Sequence, residues 1–125
     1  MAQPTRVLIV DDSARTREGL RALLATWPEI TVIGEAANGQ EAVQQVAECR
    51  PDVVLMDLYM PVLDGVRATR LIKQQWPDVV VIVLTMYATE QGIALAAGAD
   101  GFVIKGGTHE RLLAALGVAV TSDKS

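Results

Sequence analysis

Short apolar runs alternate with segments of helical period along this chain, and that alternation restricts the fold to one class. The runs at 7–10, 53–56 and 79–84 are continuously apolar, as strands buried on both faces of a sheet are. The segments between them carry apolar residues at three- and four-residue intervals. Five such βα units joined by right-handed crossovers predict an α/β protein, a doubly wound parallel sheet with helices on both faces.

Caps and breakers predict where the helices begin and end. The first helix is expected to follow Ser13 and to end before Pro28. Asn38 and Glu41 have the spacing of a capping box for the second helix. The helical period of that second helix places Ala47 on its inward face.

Length and charge exclude several classes of function. The 125 residues suffice for one domain, predicted over 1–120, with a polar tail or the start of a linker at 121–125. The net charge is −4 and no Lys/Arg cluster occurs, which argues against direct nucleic-acid binding. The single cysteine, Cys49, excludes an internal disulfide and is expected to be buried. No apolar run reaches membrane-spanning length, so we expect a cytoplasmic protein.

A polar residue that can handle a phosphoryl group follows each of four apolar runs. Ligands bind at the carboxyl ends of the strands in an open parallel sheet, so these residues are predicted to converge on one site. They are Asp11 and Asp12 after the first run, then Asp57, Thr85 and Lys105.

The side chain of Asp57 is the candidate phosphoacceptor, because a carboxylate can attack phosphorus and form an acyl phosphate. Bringing two anions together requires positive charge, which Mg²⁺ supplies through oxygen ligands. We expect Asp12 and Asp57 to bind Mg²⁺ directly and Asp11 to bind it through water. The backbone carbonyl of Tyr59 is expected to complete the protein ligands.

Thr85 and Lys105 have the chemistry to stabilise the transferred charge. Thr85 can donate its hydroxyl to a phosphoryl oxygen, and Lys105 can pair with Asp57 before the reaction and with the phosphoryl group after it. Each residue alone has an ordinary explanation, since Asp11 and Asp12 could simply cap a helix or a turn. Their joint occurrence at four strand ends favours a site.

The motifs at these positions resemble those of the response-regulator receiver domain. The resemblance covers nearly the whole chain, is closest to the LuxR-type (NarL-like) branch of transcriptional regulators, and implies a flavodoxin-like sheet with strand order 2-1-3-4-5. The motifs are Asp11-Asp12, Asp57-Leu58-Tyr59-Met60-Pro61 with Asp64-Gly65, Leu84-Thr85-Met86, and Gly98-Ala99-Asp100-Gly101-Phe102 with Lys105.

The resemblance implies a phosphorylation-controlled switch of a two-component system. A sensor histidine kinase would phosphorylate Asp57 in the presence of Mg²⁺, after which Thr85 would move inward and the ring of Phe102 would turn, with Tyr87 beside the site. No enzyme activity is implied beyond self-phosphorylation from small donors and autodephosphorylation. The implied output is homodimerisation and transcriptional control through a helix-turn-helix domain, which does not occur in these 125 residues.

Two departures from the family pattern lie beyond Thr85. Gly106 follows Lys105 where many receivers have a proline, so the lysine is expected to be held differently. The span from Thr85 to Lys105 is shorter than usual, and Gly92 weakens the helix within it. We therefore predict a short, mobile fourth helix.

Two bulky residues, Tyr59 and Tyr87, occupy positions that flank the phosphoryl site in the family. We hypothesise that they obstruct attacking water and lengthen the lifetime of the acyl phosphate; the alternative is that both rings face solvent or a partner. Two competing functions stay open. An aspartyl-type phosphatase or phosphotransferase usually carries a second acid where Tyr59 stands, and a phosphate-independent pseudo-receiver would not require the complete acidic set.

Overall fold

Strands and helices alternate throughout the computed structural model, which describes residues 3–60, 62–105 and 109–124. A short 3₁₀ helix at Ala88–Glu90 precedes the fourth α-helix. The strands are β1 (Thr5–Val10), β2 (Ile30–Ala36), β3 (Val53–Asp57), β4 (Val80–Thr85) and β5 (Gly101–Ile104). The α-helices are α1 (Ala14–Leu24), α2 (Gly39–Cys49), α3 (Gly65–Gln75), α4 (Gln91–Ala96) and α5 (His109–Lys124).

The five strands form one parallel sheet in the order β2-β1-β3-β4-β5. This confirms both the predicted class and the strand order. The pairing of β1 with β2 shifts between Val7 and Leu8, where β2 contains one extra residue. β2 lies on one side of β1, whereas β3, β4 and β5 lie on the other. The connections from β1 therefore run in opposite directions along the sheet, which leaves a crevice at the carboxyl ends of β1 and β3.

The sheet separates two apolar layers. Side chains of α2, α3 and α4 pack against one face, where Leu8 and Val10 contribute from β1. Side chains of α1 and α5 pack against the other face, where Val7 and Ile9 contribute. All four β1 residues are at most 1% exposed, which explains why the strand reads as a continuous apolar run.

The predicted helix starts are confirmed by their caps. Ser13 accepts a hydrogen bond from the Thr16 amide at 3.2 Å. Asn38 accepts from the Glu41 amide at 2.9 Å, while the Glu41 carboxylate accepts from the Ala37 amide at 3.0 Å. Side-chain acceptors at these positions satisfy backbone donors that the first helical turn leaves free.

Helix α1 ends at Leu24, before Pro28 as predicted, and the amide of Trp27 then bonds to the Leu24 carbonyl in a tight turn. Two details of α2 differ from the prediction. In α2 the buried alanine is Ala42, and Ala47 is exposed. Cys49 is half-buried at the end of that helix rather than enclosed.

The fourth helix is short, as predicted, with six residues in α4. Helix α5 continues to Lys124, so the backbone of 121–124, which we assigned to a tail, is helical. The domain boundary at 120 stays a prediction. The departure at Gly106 lies outside the described residues. No helix in the described part of the chain combines the length and the apolar character needed to cross a bilayer.

Candidate functional site

The register of the sheet brings the predicted site residues to one edge. Val10 lies opposite Met56, so the residues that follow them, Asp11 and Asp57, are neighbours. Asp57 itself lies opposite Leu84, one residue before Thr85. Thr85 in turn lies opposite Ile104, one residue before Lys105. Four separate strand ends thus deliver their polar residues to the same crevice.

Three carboxylates meet in this crevice. One oxygen from each of Asp11, Asp12 and Asp57 lies within 4.8 Å of the other two. Asp11 and Asp57 are 2% and 7% exposed, whereas Asp12 faces solvent. The grouping predicted from sequence is therefore present, with two acids enclosed by the protein and a third at the opening.

The carboxylate of Asp11 is held at both oxygens. Its Oδ1 accepts a hydrogen bond from the Ser13 amide at 2.9 Å, and its Oδ2 pairs with Lys105 Nζ at 2.6 Å. The Ser13 contact is the local turn role that we considered as the ordinary explanation for this residue. Asp11 performs that role and also lines the site.

Lys105 bridges the two buried acids. Its ammonium lies 3.1 Å from Asp57 Oδ1, the pairing that was predicted, and closer still to Asp11. Burial opposes charge on Lys105, but the pairs with Asp11 and Asp57 outweigh burial and raise the pKa of Lys105 above its ordinary value. The lysine therefore stays protonated, as a charge-stabilising role requires.

Burial raises the pKa of Asp57, and the charges of Asp11 and Asp12 raise it further against the opposing effect of Lys105. Three carboxylates face one ammonium group, so the site has an excess of negative charge. A closely spaced set of carboxylate oxygens is the donor type that Mg²⁺ prefers. The residues therefore fit a hard divalent cation.

A glycine allows α3 to begin directly beneath Asp57. The amide of Gly65 donates to the Leu58 carbonyl at 2.8 Å, and a Cβ at position 65 would lie 1.9 Å from the Asp57 carbonyl oxygen. Asp64 caps the helix by accepting from the Arg67 amide at 2.9 Å. These backbone contacts hold the start of α3 against the end of β3, next to Asp57.

Sequence analysis missed Glu90, which accepts hydrogen bonds from both the Thr85 and Tyr59 hydroxyls. Glu90 is 7% exposed, although it belongs to a short helix whose neighbouring residues face solvent. The Thr85 hydroxyl is therefore bound to Glu90. A single glutamate in a polar segment carries no signal that distinguishes it from a solvated one.

The aromatic residues predicted near the site differ in exposure. Tyr59 and Tyr87 are 62% and 61% exposed, and the hydroxyl of Tyr59 donates a hydrogen bond to Glu90. Phe102 is half-buried and packs against the apolar layer that α2, α3 and α4 form with the sheet. It also lines a groove of about 270 Å³ with Gln91 and Arg111.

The family model for the response regulator receiver domain matches residues 7–117 of this chain. A transcriptional regulatory protein that is itself uncharacterized, YhcZ of Bacillus subtilis (strain 168), is 44% identical over 110 residues, which cover 86% of this chain and 51% of YhcZ. The transcriptional regulatory protein YdfI of the same strain is 42% identical over 119 residues, covering 92% of this chain and 54% of YdfI. This chain thus spans about half the length of the curated relatives that it matches.

Solved structures agree with the fold. The crystal structure of a LuxR-family two-component response regulator from Aurantimonas sp. SI85-9A1 superposes with a TM-score of 0.90 and 34% identity. That alignment covers 96% of this chain and 87% of the other. The match extends over the complete βα arrangement that positions the acidic crevice.

Proposed function

This chain belongs to the response regulator receiver domain family, and we propose that Asp57 is its phosphoacceptor, receiving a phosphoryl group from a sensor histidine kinase. One observation carries the proposal: Asp57 stands at the end of β3 with an oxygen 3.1 Å from the Lys105 ammonium. A carboxylate in this position can attack phosphorus, and the Lys105 ammonium offsets part of its negative charge.

The acidic crevice is the proposed Mg²⁺ site. Asp12 and Asp57 would bind the ion directly, with the backbone carbonyl of Tyr59. Asp11 would act through water, because both of its oxygens already have protein partners. Bound Mg²⁺ would neutralise the acids and the incoming phosphoryl oxygens.

The protein's own residues account for the transfer step. An oxygen of Asp57 attacks phosphorus while the bond from phosphorus to the donor breaks, and its electron pair leaves with the donor atom. Lys105 keeps its proton and turns from the carboxylate to the new phosphoryl oxygens. Thr85 supplies a further hydrogen bond once its hydroxyl is released from Glu90.

The proposed output is a change of association. Phosphorylation would draw Thr85 inward and allow Phe102 to turn, which alters the surface formed by α4, β5 and α5. Homodimerisation would follow, and a DNA-binding region of the longer protein would then regulate transcription. The names of the relatives, which are transcriptional regulatory proteins, support this output.

The two exposed tyrosines are proposed to set the lifetime of the acyl phosphate. Tyr59 and Tyr87 follow Asp57 and Thr85 by two residues each and are exposed, so their rings would obstruct water approaching phosphorus. Tyr59→Ala and Tyr87→Ala variants should therefore lose phosphate faster than the wild type, as measured by the decay of the phosphorylated mass. Equal decay rates in all three proteins would contradict this role.

Intact mass after incubation with Mg²⁺ and acetyl phosphate tests the phosphoacceptor. We expect one added phosphoryl group, which does not form when Mg²⁺ is chelated beforehand and is absent in Asp57→Asn. Asp78→Asn is the matched control, because Asp78 is an exposed carboxylate that precedes β4 at the opposite end of the sheet. That variant should be phosphorylated like the wild type.

Two results would overturn the assignment. An adduct that persists in Asp57→Asn would place the phosphoryl group elsewhere. No adduct in the wild type, with Mg²⁺ bound, would favour the pseudo-receiver. Sustained hydrolysis of a generic phosphate ester would instead indicate a phosphatase.

A further inference from the structure

We propose that Glu90 is a positioning residue that keeps the hydroxyl of Thr85 from the phosphoryl site until Asp57 is phosphorylated. The inference rests on the phosphoacceptor role proposed for Asp57. Its basis is a three-residue contact, in which the buried carboxylate of Glu90 accepts hydrogen bonds from Thr85 and from Tyr59. One side chain thus restrains both the last residue of β4 and a residue of the segment that follows β3.

The hydroxyl of Thr85 cannot serve Glu90 and a phosphoryl oxygen at once. A threonine hydroxyl has one proton to donate, and here that proton goes to Glu90. The oxygen of Thr85 also accepts from the Tyr87 amide at 3.4 Å. Since Thr85 is 1% exposed, water has little access to replace either partner. Engagement of the phosphoryl group therefore requires the contact with Glu90 to break.

Breaking this contact has a cost at Glu90. Its carboxylate is 7% exposed, and a buried carboxylate is stable only while donors surround it. When Thr85 leaves, Glu90 loses one of the two hydroxyl donors that hold it. Glu90 thereby favours the unphosphorylated arrangement, and its removal should favour the phosphorylated one.

The contact with Tyr59 extends the effect across the site. Tyr59 lies two residues after Asp57, and its hydroxyl is the second donor to Glu90. Departure of Thr85 leaves Tyr59 as the remaining hydroxyl partner of that carboxylate. Glu90 consequently links the movement of Thr85 to the restraint on the exposed ring of Tyr59.

Binding of beryllofluoride, a phosphoryl mimic, in the presence of Mg²⁺ tests the role of Glu90. Glu90→Met removes both acceptors with a side chain of similar length, and we expect its dissociation constant to fall about tenfold, the factor of one charge-assisted hydrogen bond. Glu90→Gln keeps one acceptor and should give a smaller gain. Thr89→Ala, an exposed neighbour in the same 3₁₀ helix, should bind as the wild type does.

A double-mutant cycle separates this role from a general loosening of the loop. In a Thr85→Val background there is no hydroxyl to release, so Glu90→Met should no longer improve binding. A gain of the same size in that background would overturn the proposal. So would an unchanged dissociation constant in Glu90→Met alone.

Hydrogen exchange of the metal-free, unphosphorylated protein gives a second readout. Amides of 88–96 should exchange faster in Glu90→Met than in the wild type, while those of α1 keep their rates. Unchanged exchange at 88–96 would contradict the restraint itself. A wild-type protein that fails to bind beryllofluoride would refute the phosphoacceptor proposal and this inference together, whereas wild-type binding without a change in Glu90→Met would refute only the role of Glu90.

Discussion

The acidic side of the site (Asp11, Asp12 and Asp57) and its hydroxyl side (Thr85 to Ala96) are held by different kinds of contact. On the acidic side, backbone bonds join the segments: Gly65 donates to Leu58, and Gly39 donates to Leu63, each at 2.8 Å. The helices beside it, α1 and α3, have 11 residues each and side-chain caps.

A backbone bond from the Lys105 amide to the Thr85 carbonyl, at 2.7 Å, also joins the hydroxyl side to its neighbour, but the segment after Thr85 is built differently. The 3₁₀ helix and α4 have no side-chain cap hydrogen bond, and α4 has only six residues. Met86 and Ile93 expose 62% and 51% of their surface. The side chain of Glu90 connects this segment to Tyr59, two residues after Asp57.

This difference separates a fixed part from an exchangeable one. Backbone contacts cannot change partners without unfolding a helix terminus, so they hold the acids in place before and after reaction. A hydroxyl can change partners by a small rotation, so Thr85 can belong to either of two arrangements. A switch needs both, since a local charge change has to bias a segment that has two stable positions.

The largest expected effect tests the fixed side. In Gly65→Ala the new Cβ would lie 1.9 Å from the Asp57 carbonyl oxygen, so α3 or β3 has to shift. We expect a loss of about 3 kcal/mol or more in the free energy of unfolding, measured by urea denaturation. Gly19→Ala is the matched control, because nothing lies within 4 Å of a Cβ at that exposed position of α1. Equal free energies of unfolding in the two variants would contradict the proposal that the acidic side is rigid.

Hydrogen exchange compares the two sides directly. Amides of α4 should exchange at least roughly tenfold faster than those of α1, because a short uncapped helix opens locally at low free energy. The measurement is native-state exchange of the unphosphorylated protein. Protection in α4 that matches α1 would mean that the hydroxyl side is as firmly held as the acidic side.

A glycine on the hydroxyl side should respond oppositely to Gly65. Gly92 lies in α4, and a Cβ there meets nothing within 4 Å. Gly92→Ala should raise the free energy of unfolding by roughly 0.5–1 kcal/mol, because alanine favours the helix and restricts the unfolded chain. Slower exchange in α4 should accompany the gain. A loss of stability would show that α4 needs the freedom of glycine.

The smallest expected effect concerns a surface contact of the acidic side. Hydrogen bonds from Arg21, and then from Arg17, lower the pKa of Glu35 from 4.5 although burial opposes them. The stabilisation is therefore present above pH 4.5 and is lost as the pH falls through the lower folded-state pKa. Glu35→Gln should cost roughly 0.5 kcal/mol at pH 7.

This difference between Glu35→Gln and the wild type should shrink toward pH 3, as measured by denaturation at both pH values. Salt should reduce it as well, because the pairs are partly exposed. A cost that is independent of pH would assign the effect to packing rather than to charge.

Much of the fold could be predicted because its signals are local. Ser13, Asn38 and Asp64 lie next to the helices they cap, so residue type and spacing suffice to locate them. The buried strands read as continuous apolar runs. An error arose where a choice depends on distant neighbours: the helical period did not decide between Ala42 and Ala47.

The sequence by itself determined which polar residues end the strands, because a parallel sheet sends every strand end to the same edge. The order of the strands then brought Asp11, Asp57 and Lys105 together. Only the tertiary structure decided how those groups share their partners. Lys105 lies nearer to Asp11 than to Asp57, and Glu90 accepts the hydrogen bond that the Thr85 hydroxyl donates. Such pairings depend on fractions of an ångström between separate elements, which residue type and spacing do not record.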